Sequence, residues 1–281
     1  MPRTLKSLKT PLRYPGGKSR AVPKLLQYLP NLFQVKEFRE PFLGGGSFAL
    51  EITKRYPHID VWVNDLYEPL YNFWCELQHN GQELQDALLG IKTIYCNPDA
   101  ARCLFTSSKE QINDSDLSNF DRAVAFYIVN KCSFSGLTES SSFSEQASES
   151  NFSTNGIERL TEYSEIIERW KITNLSYESM LCDDKDTFIY LDPPYDIKDN
   201  LYGKKGSMHK RFDHDKFAHD CDQHTCPMLI SYNSDQIIRD RFYEWTVGEF
   251  AHTYTMRSVG CYNIDQATRK ELVLTNYEMR S

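Results

Sequence analysis

Hydrophobic and polar positions follow the periods of strands and helices in turn along the first eighty residues. Short apolar runs of β-type residues predict strands over 38–42 and 60–63. A helix is predicted to begin near Ser47, because serine is a common helix N-cap, and apolar residues at helical spacing predict a second helix over 67–79. Strands that alternate with helices pair in parallel, so this region predicts an α/β fold.

The alternation is absent in the next segment of the chain. Residues 122–132 have helical apolar spacing, whereas residues 133–154 are rich in serine. A serine-rich stretch can be a disordered linker, but Phe134, Phe143 and Phe152 interrupt this one. The three aromatic residues favour an ordered hairpin or loop.

Apolar strand patterns return in the last third of the sequence. They predict four strands, over 187–191, 228–231, 248–256 and 271–275. The last two are close in sequence and can pair antiparallel. We therefore predict one domain formed by residues 1–79 and 166–281, with a mainly helical subdomain inserted over 80–165.

Length and composition limit the protein class. A chain of 281 residues can bury one sizeable core and a smaller subdomain. No apolar run approaches the roughly 18 residues of a membrane span, and the first residues do not resemble a secretory signal. Eight cysteines without a C-x-x-C pair are typical of reduced thiols, which predicts a cytoplasmic protein. The histidines and cysteines between 214 and 226 match no common zinc spacing, so no metal is predicted.

The formal net charge of −7 does not by itself suggest nucleic acid, but its distribution does. Residues 1–36 contain eight lysines and arginines and no acid, and a second basic cluster occupies residues 198–211. Contact with phosphate requires a locally positive potential and not a net positive charge of the entire protein. Alternatively, each of these two basic clusters is simply a charged surface exposed to solvent.

The strand predicted over 187–191 is followed directly by the sequence Asp192-Pro193-Pro194-Tyr195. The prolines end the strand at its carboxyl end, where open α/β sheets bind ligands. A carboxylate and a rigid carbonyl can accept the hydrogens of a planar amine, while the tyrosine ring stacks on its face. A simple strand-ending turn is the alternative.

Two further strand ends suggest a nucleoside-containing cofactor. The first strand runs into a glycine turn at Gly44-Gly45-Gly46, which allows close approach of the backbone to a ligand. The second ends at Asp65, whose carboxylate can accept both hydroxyls of a ribose. The stretch from Tyr14 to Ser19 is not a phosphate loop, because Leu12 stands where that motif requires glycine.

These motifs, together with residues 231–233 and 270–276, occur in an order that resembles the Dam-like, alpha-group DNA adenine-N6 methyltransferases. The resemblance spans residues 14–276. It implies a Rossmann-like methyltransferase fold with a mixed sheet ending in an antiparallel hairpin, S-adenosyl-L-methionine as methyl donor, and duplex DNA as substrate.

The resemblance also implies roles for individual residues. The implied cofactor-binding residues are Tyr14, Lys18, Phe42, Gly44, Gly46, Asp65, Tyr177 and Asp192. The implied catalytic residues are Asp192, Pro193 and Tyr195. The resemblance also places residues 228–233 near the target pocket. Independently of it, the sequence predicts a helix over 213–221 that precedes a strand.

The chain departs from the Dam-like pattern after residues 130–137, where relatives carry base-reading arginines. No lysine or arginine occurs here between Lys131 and Arg159, and the segment contains three glutamates. The recognition sequence therefore cannot be transferred, although we expect residues 133–155 to read the target bases. The resemblance implies site-specific adenine-N6 methylation of duplex DNA, by base flipping and in-line methyl transfer, and the acid at the start of the Asp192–Tyr195 motif favours adenine. The alternatives are cytosine-N4 methylation, a catalytically silent DNA-binding regulator, and methylation of RNA or protein amides. A cognate restriction endonuclease and a monomeric or weakly dimeric state are further expectations.

Overall fold

The computed structural model describes residues 10–14, 16–136, 141–195, 212–251 and 270–279. Within these residues seven strands form one mixed sheet, in the spatial order β3-β2-β1-β4-β5-β7-β6. The strands are β1 (Glu37–Glu40), β2 (Asp60–Asn64), β3 (Lys171–Thr173), β4 (Thr187–Leu191), β5 (Met228–Asn233), β6 (Thr246–Ala251) and β7 (Lys270–Thr275). The first five pair in parallel, and β7 lies antiparallel between β5 and β6.

This architecture confirms the predicted α/β fold of the methyltransferase type, including the antiparallel final hairpin. The helices along the described chain are α1 (Val22–Leu25), α2 (Ser47–Arg55), α3 (Glu68–His79), α4 (Gly81–Ile94), α5 (Pro98–Gln111), α6 (Asn119–Cys132), α7 (Glu145–Ser150), α8 (Thr154–Ile157), α9 (Leu160–Ile167), α10 (His214–Asp222) and α11 (Gln236–Arg241). Among the described residues, no helix has both the length and the apolar character needed to span a bilayer.

Several predicted element bounds are shifted in the structure. The first strand ends at Glu40 rather than at residue 42, because Pro41 cannot donate to the ladder. Ser47 is the first residue of α2 and not its cap: the capping position is Gly46, which has a left-handed backbone. Part of the strand predicted over 248–256 lies outside the described residues, since β6 is described only to Ala251.

The helices of the predicted insertion share a core with the sheet. Leu84 of α4 and Phe126 of α6 belong to the same buried cluster as Phe38 of β1. The ring of Phe73 in α3 stacks on Tyr127 of α6, with 5.9 Å between the centroids. The division into a main domain and a recognition subdomain stays a prediction, since helices 81–167 pack directly against the main domain.

The serine-rich stretch is ordered where the structure describes it. Ser133 and Phe143 form an isolated antiparallel bridge, and α7 follows. Phe152 is fully buried, Phe143 packs against the core, and Phe134 is half exposed. Residues 137–140 lie outside the described chain. The described part of the segment therefore agrees with the ordered loop expected from its phenylalanines.

Candidate active site

A cleft opens at the carboxyl ends of β1, β2 and β4, with a cavity volume of about 190 Å³. Nine residues singled out in the sequence line it: Tyr14, Lys18, Phe42, Gly44, Gly46, Asp65, Tyr177, Asp192 and Tyr195. Pro193 is buried and does not line the cleft, whereas Pro194 does. The fold thus brings together side chains that are far apart in sequence, as expected for strand ends at one sheet edge.

The glycine turn after β1 is packed too closely for any side chain. A Cβ atom at Gly44 would lie 2.9 Å from the ring of Tyr14, and one at Gly46 would lie 2.8 Å from the indole of Trp74. Both glycines also have positive φ angles, 50° and 68°. The Trp74 Nε1–H donates to the carbonyl of Gly44 at 3.1 Å. The turn is therefore fixed from both sides and exposes its backbone to the cleft.

Asp65 holds the glycine turn from the end of β2. Its Oδ2 accepts from the Gly44 N–H at 2.9 Å, and its Oδ1 accepts from the Tyr67 N–H at 2.9 Å. The side chain is buried, and burial raises the pKa of Asp65 to about 6. A carboxylate in this position can still accept further hydrogen bonds through its remaining lone pairs.

Aromatic and aliphatic side chains form an apolar wall beside Asp65. The Tyr177 ring stacks near Phe42, with 5.7 Å between the centroids. Its hydroxyl donates to Asp220 of α10 at 2.7 Å, which fixes the ring. Leu66 and Leu175 also line the cleft and remain exposed. This wall suits the face of a flat heterocycle.

Asp192 is held through one of its two oxygens. Its Oδ1 lies 3.1 Å from the Lys18 ammonium and accepts from the Ser231 hydroxyl at 3.1 Å. The Tyr190 hydroxyl lies 2.8 Å from Ser231, so it can donate to the same serine. Within the described residues, no hydrogen bond is made to Oδ2. Burial raises the pKa of Asp192, and Lys18 partly opposes that shift.

A second carboxylate, Glu271 of β7, completes this group. The Tyr195 hydroxyl donates to Glu271 Oε1 at 2.6 Å, and the Lys18 ammonium lies 2.6 Å from the same oxygen. Lys18 also hydrogen bonds to the Tyr195 hydroxyl. Burial acts to lower the pKa of Lys18, but Asp192 and Glu271 outweigh it and the pKa is raised. Lys18 is therefore charged, and its deep burial excludes it from contact with DNA phosphate.

Glu40 lies at the end of β1 and also lines the cleft. Its carboxyl group accepts from the backbone N–H of Ala49 near the start of α2, while its buried Oε2 atom has no hydrogen-bond partner in the part of the chain that the structure describes. Burial raises the pKa of Glu40 well above its usual value, and the nearby charge of Asp192 adds to the shift. An additional donor from a ligand would satisfy this oxygen.

Two residues of the site, Glu40 and Glu271, received no individual role from the sequence, whereas Ser231 belongs to the segment 228–233 that the resemblance placed near the target pocket. A single acid at the start of an otherwise apolar strand, as in Lys270-Glu271-Leu272-Val273-Leu274, was the available signal for Glu271. The basic cluster predicted to contact phosphate over 198–211 lies outside the described residues. In the described residues no group of acids, histidines and cysteines could hold a metal ion.

A family profile, that of the D12 class N6 adenine-specific DNA methyltransferases, matches residues 14–256. The type II methyltransferase M.MjaIII of Methanocaldococcus jannaschii is 22% identical over 198 residues, which cover 66% of this chain and 68% of that protein. The type II methyltransferase M1.LlaDCHI of Lactococcus lactis subsp. cremoris is 21% identical over 284 residues and 94% of each chain.

Two further proteins are similar over different extents. The DNA N-6-adenine-methyltransferase of Escherichia phage P1 is 26% identical over 126 residues, which are 45% of this chain and 15% of that protein. Among solved structures, the rRNA methyltransferase aviRa from Streptomyces viridochromogenes aligns over 93% of this chain and 86% of its own, with 12% identity and a TM-score of 0.34.

Proposed function

Because the chain belongs to the D12 class N6 adenine-specific DNA methyltransferases, we propose that Asp192 accepts a hydrogen of the adenine amine in the cleft, after the base has left the duplex. Members of this family are enzymes that methylate adenine in DNA, and their usual methyl donor is S-adenosyl-L-methionine. The observation that carries the proposal is the oriented carboxylate of Asp192, held through Oδ1 by Lys18 and Ser231.

The described residues fit S-adenosylmethionine. The apolar wall of Phe42 and Tyr177 suits its adenine, and Asp65 suits its ribose hydroxyls. The glycine turn allows the backbone to approach the ligand, and the unpartnered Glu40 Oε2 can accept from an ammonium group. When bound, this donor supplies an electrophilic methyl group on a positively charged sulfur.

Asp192 makes the acceptor nitrogen more reactive. The lone pair of an exocyclic amine is delocalised into the ring, so the amine is a poor nucleophile. The amine donates one hydrogen bond to Asp192 Oδ2 and a second to the Pro193 carbonyl. Together these two hydrogen bonds favour a tetrahedral geometry at the nitrogen. The raised pKa of Asp192 then helps it to take up the proton that the methylated nitrogen releases. Positioning and electrostatics carry this chemistry without a covalent enzyme intermediate.

The target adenine must leave the duplex to reach Asp192. Extrusion of a base costs a few kcal/mol, and stacking on an aromatic side chain recovers about 1–3 kcal/mol per base. Tyr195 is the proposed stacking residue, because it follows Asp192 in the motif and lines the same cleft. Residues 133–155 are proposed to read the neighbouring bases. A cognate restriction endonuclease is proposed by analogy with the two type II relatives, and a monomeric or weakly dimeric state stays a prediction.

Nucleoside analysis tests this function directly. Unmethylated duplex DNA is incubated with the protein and donor, digested, and examined by mass spectrometry for modified nucleosides. The proposal expects N6-methyldeoxyadenosine in a fixed sequence context. Detection of N4-methyldeoxycytidine instead would show that cytosine, and not adenine, is the methyl acceptor. The absence of any modified nucleoside would favour a catalytically silent DNA-binding regulator.

A further inference from the structure

Glu271 is a fully buried charge that precedes three apolar residues, Leu272 to Leu274, in strand β7. It lies in β7, where it is paired with Asn233 of β5 and Phe250 of β6, and its side chain is 0% exposed. A buried carboxylate costs several kcal/mol unless charged or polar partners compensate it. Lys18 and Tyr195, which contact Glu271, both belong to the cleft and come from other parts of the chain.

Among the described residues, one ammonium lies between the carboxylates of Glu271 and Asp192. Lys18 contributes one positive charge, while Glu271 and Asp192 contribute two negative charges at 2.6 Å and 3.1 Å from its ammonium. Lys18 thus links Glu271 to Asp192, and the charge of Glu271 also acts directly on Asp192 by raising its pKa. The Tyr195 ring is bounded on one side by the same ammonium, 4.5 Å from the ring centroid, and on another by Tyr232, 5.8 Å away.

We infer that Glu271 is a positioning residue for methyl transfer: it holds Lys18 against Asp192 Oδ1 and fixes the Tyr195 ring by accepting its hydroxyl hydrogen. With Oδ1 engaged in this way, Oδ2 is the oxygen presented to the acceptor amine. This inference rests on the proposed function, in which Asp192 and Tyr195 contact the target base. Glu271 itself contacts neither substrate, so its effect passes through the two residues that it holds.

A carboxylate meets these requirements better than a neutral side chain. Lys18 and Tyr195 both donate to one oxygen of Glu271, and one of these donors is charged. A glutamine keeps the shape and an acceptor oxygen, but it removes the charge that balances Lys18. The Lys18 ammonium then keeps Asp192 as its remaining anionic partner and is no longer held between two carboxylates, so we expect its position relative to Asp192 Oδ1 and the Tyr195 hydroxyl to change.

The variant Glu271→Gln tests the inference, with Glu249→Gln as matched control. Glu249 lies on the adjacent strand β6 and pairs with Arg239 and Lys270, so its loss also breaks ion pairs in the same hairpin without touching the cleft. For E271Q we expect kcat to fall about 10- to 100-fold, the range in which small misplacements act. The donor Kd, measured by titration calorimetry, should stay within about threefold. E249Q should retain the kcat of the parent.

A double-mutant cycle with Tyr195→Phe separates positioning from a general loss of stability. Y195F removes the hydroxyl that Glu271 holds, so E271Q should cost less in the Y195F background than in the parent. Additive effects on kcat, or an E271Q kcat equal to that of the parent, would overturn the inference. If E271Q does not fold, Y195F alone decides: a kcat equal to that of the parent would show that the Glu271 contact is dispensable.

A further variant distinguishes failure of the inference about Glu271 from failure of the proposed function. Asp192→Ala is assayed beside the Glu271 variants under the same conditions. If D192A retains turnover, the proposed chemistry at Asp192 is wrong. If D192A loses turnover while E271Q and Y195F do not, only the role of Glu271 is wrong.

Discussion

At the level of single residues, the cleft has three acidic side chains, and each lies at the end of a different strand. Glu40, Asp65 and Asp192 line it, and Lys18 is the basic residue among the lining residues that the structure describes. The group of Lys18, Asp192 and Glu271 carries one net negative charge. Such a site favours a positively charged ligand over a neutral one. It is therefore suited to a sulfonium donor and to release of the uncharged thioether product.

Replacement of Asp65 by alanine should weaken donor binding specifically. Asp65 supports the Gly44 backbone and is proposed to accept the ribose hydroxyls. A hydrogen bond to a charged group contributes about 1.5–3 kcal/mol, so the donor Kd should rise about 10- to 100-fold. Titration calorimetry with the donor or its demethylated product measures this. Asp60→Ala, at the exposed opposite end of the same strand, should bind like the parent; an unchanged Kd in D65A would remove Asp65 from the donor site.

Donor binding should also depend on pH through Asp65. Its pKa is raised from 3.8 to about 6 by burial, so its contribution to the stability of the folded free protein is full below pH 3.8 and is lost as the pH rises through about 6. Ribose hydroxyls donate to the ionised form, so the donor association constant should rise by up to about tenfold per pH unit below pH 6 and level off above it. Kd measurements between pH 5 and 8 test this. The rise near pH 6 should be smaller in D65A, and an identical profile in both proteins would contradict it.

Connections between elements join the cleft to the proposed recognition segment. Asn130 of α6 accepts from the Arg13 N–H at 2.9 Å and donates to the carbonyls of Arg13 and Gly136 at 2.6 Å and 3.1 Å. The next residue, Tyr14, packs on the glycine turn. One buried amide therefore fixes both the start of the 133–155 segment and the tyrosine of the donor cleft.

Asn130→Ala should affect both stability and donor binding. It leaves three backbone groups without their partner, and the buried Gly136 carbonyl alone should cost about 1–3 kcal/mol. It also removes the contact that holds Arg13, and with it Tyr14, against α6. We expect a lower free energy of unfolding in urea together with a donor Kd raised several-fold. Asn72→Ala is the matched control, because buried Asn72 donates to the Asn119 carbonyl in the α3–α6 interface. N72A should lose stability alone, and a parental Kd in N130A would show that the two sites are not connected through this residue.

The sequence predicted the ends of an element best where strong local signals mark them. Both ends of β4 were predicted correctly, because an apolar run meets two prolines at its carboxyl end. The edge strand β3 was not predicted, since it has three residues and no buried face to give an apolar pattern. The cleft residues of the glycine turn and Asp65 were identified from strand ends, whereas Glu271 was not. Its role depends on the antiparallel placement of β7 beside β5, which local sequence does not encode.

At the scale of the whole molecule, the proposed recognition segment receives positive charge from other elements. The segment 133–155 contains no lysine or arginine. Arg13 donates to the Ser133 carbonyl at 2.7 Å, Lys109 of α5 donates to the Ser141 carbonyl at 2.8 Å, and the Arg102 guanidinium lies 4.7 Å from the Phe143 ring centroid. Neighbouring helices thus place cations beside an anionic loop, which suits contact with DNA.

Exchange of residues 133–155 for the matching segment of a Dam-like relative should change the methylated sequence. The hydroxyl groups of the segment can donate or accept at base edges, while the surrounding cations contact phosphate. Long-read detection of modified adenines after expression in a methylation-free host reports the site, and calorimetry checks that donor binding is preserved. Exchange of the polar 113–118 connection between α5 and α6 is the control and should leave the site unchanged. A folded, active 133–155 chimera that still modifies the parental sequence would place recognition elsewhere.

The central claim is that Asp192 accepts a hydrogen of the target adenine through an oxygen kept available by Lys18 and Ser231. Its most direct test is the single-turnover rate of methyl transfer to duplex DNA by the purified Asp192→Ala protein, with circular dichroism to confirm folding. We expect a loss of about 100-fold or more, the range typical of a positioned proton acceptor, because the carboxylate is removed without disturbing the buried strand β4. A rate within tenfold of that of the parent would contradict the account.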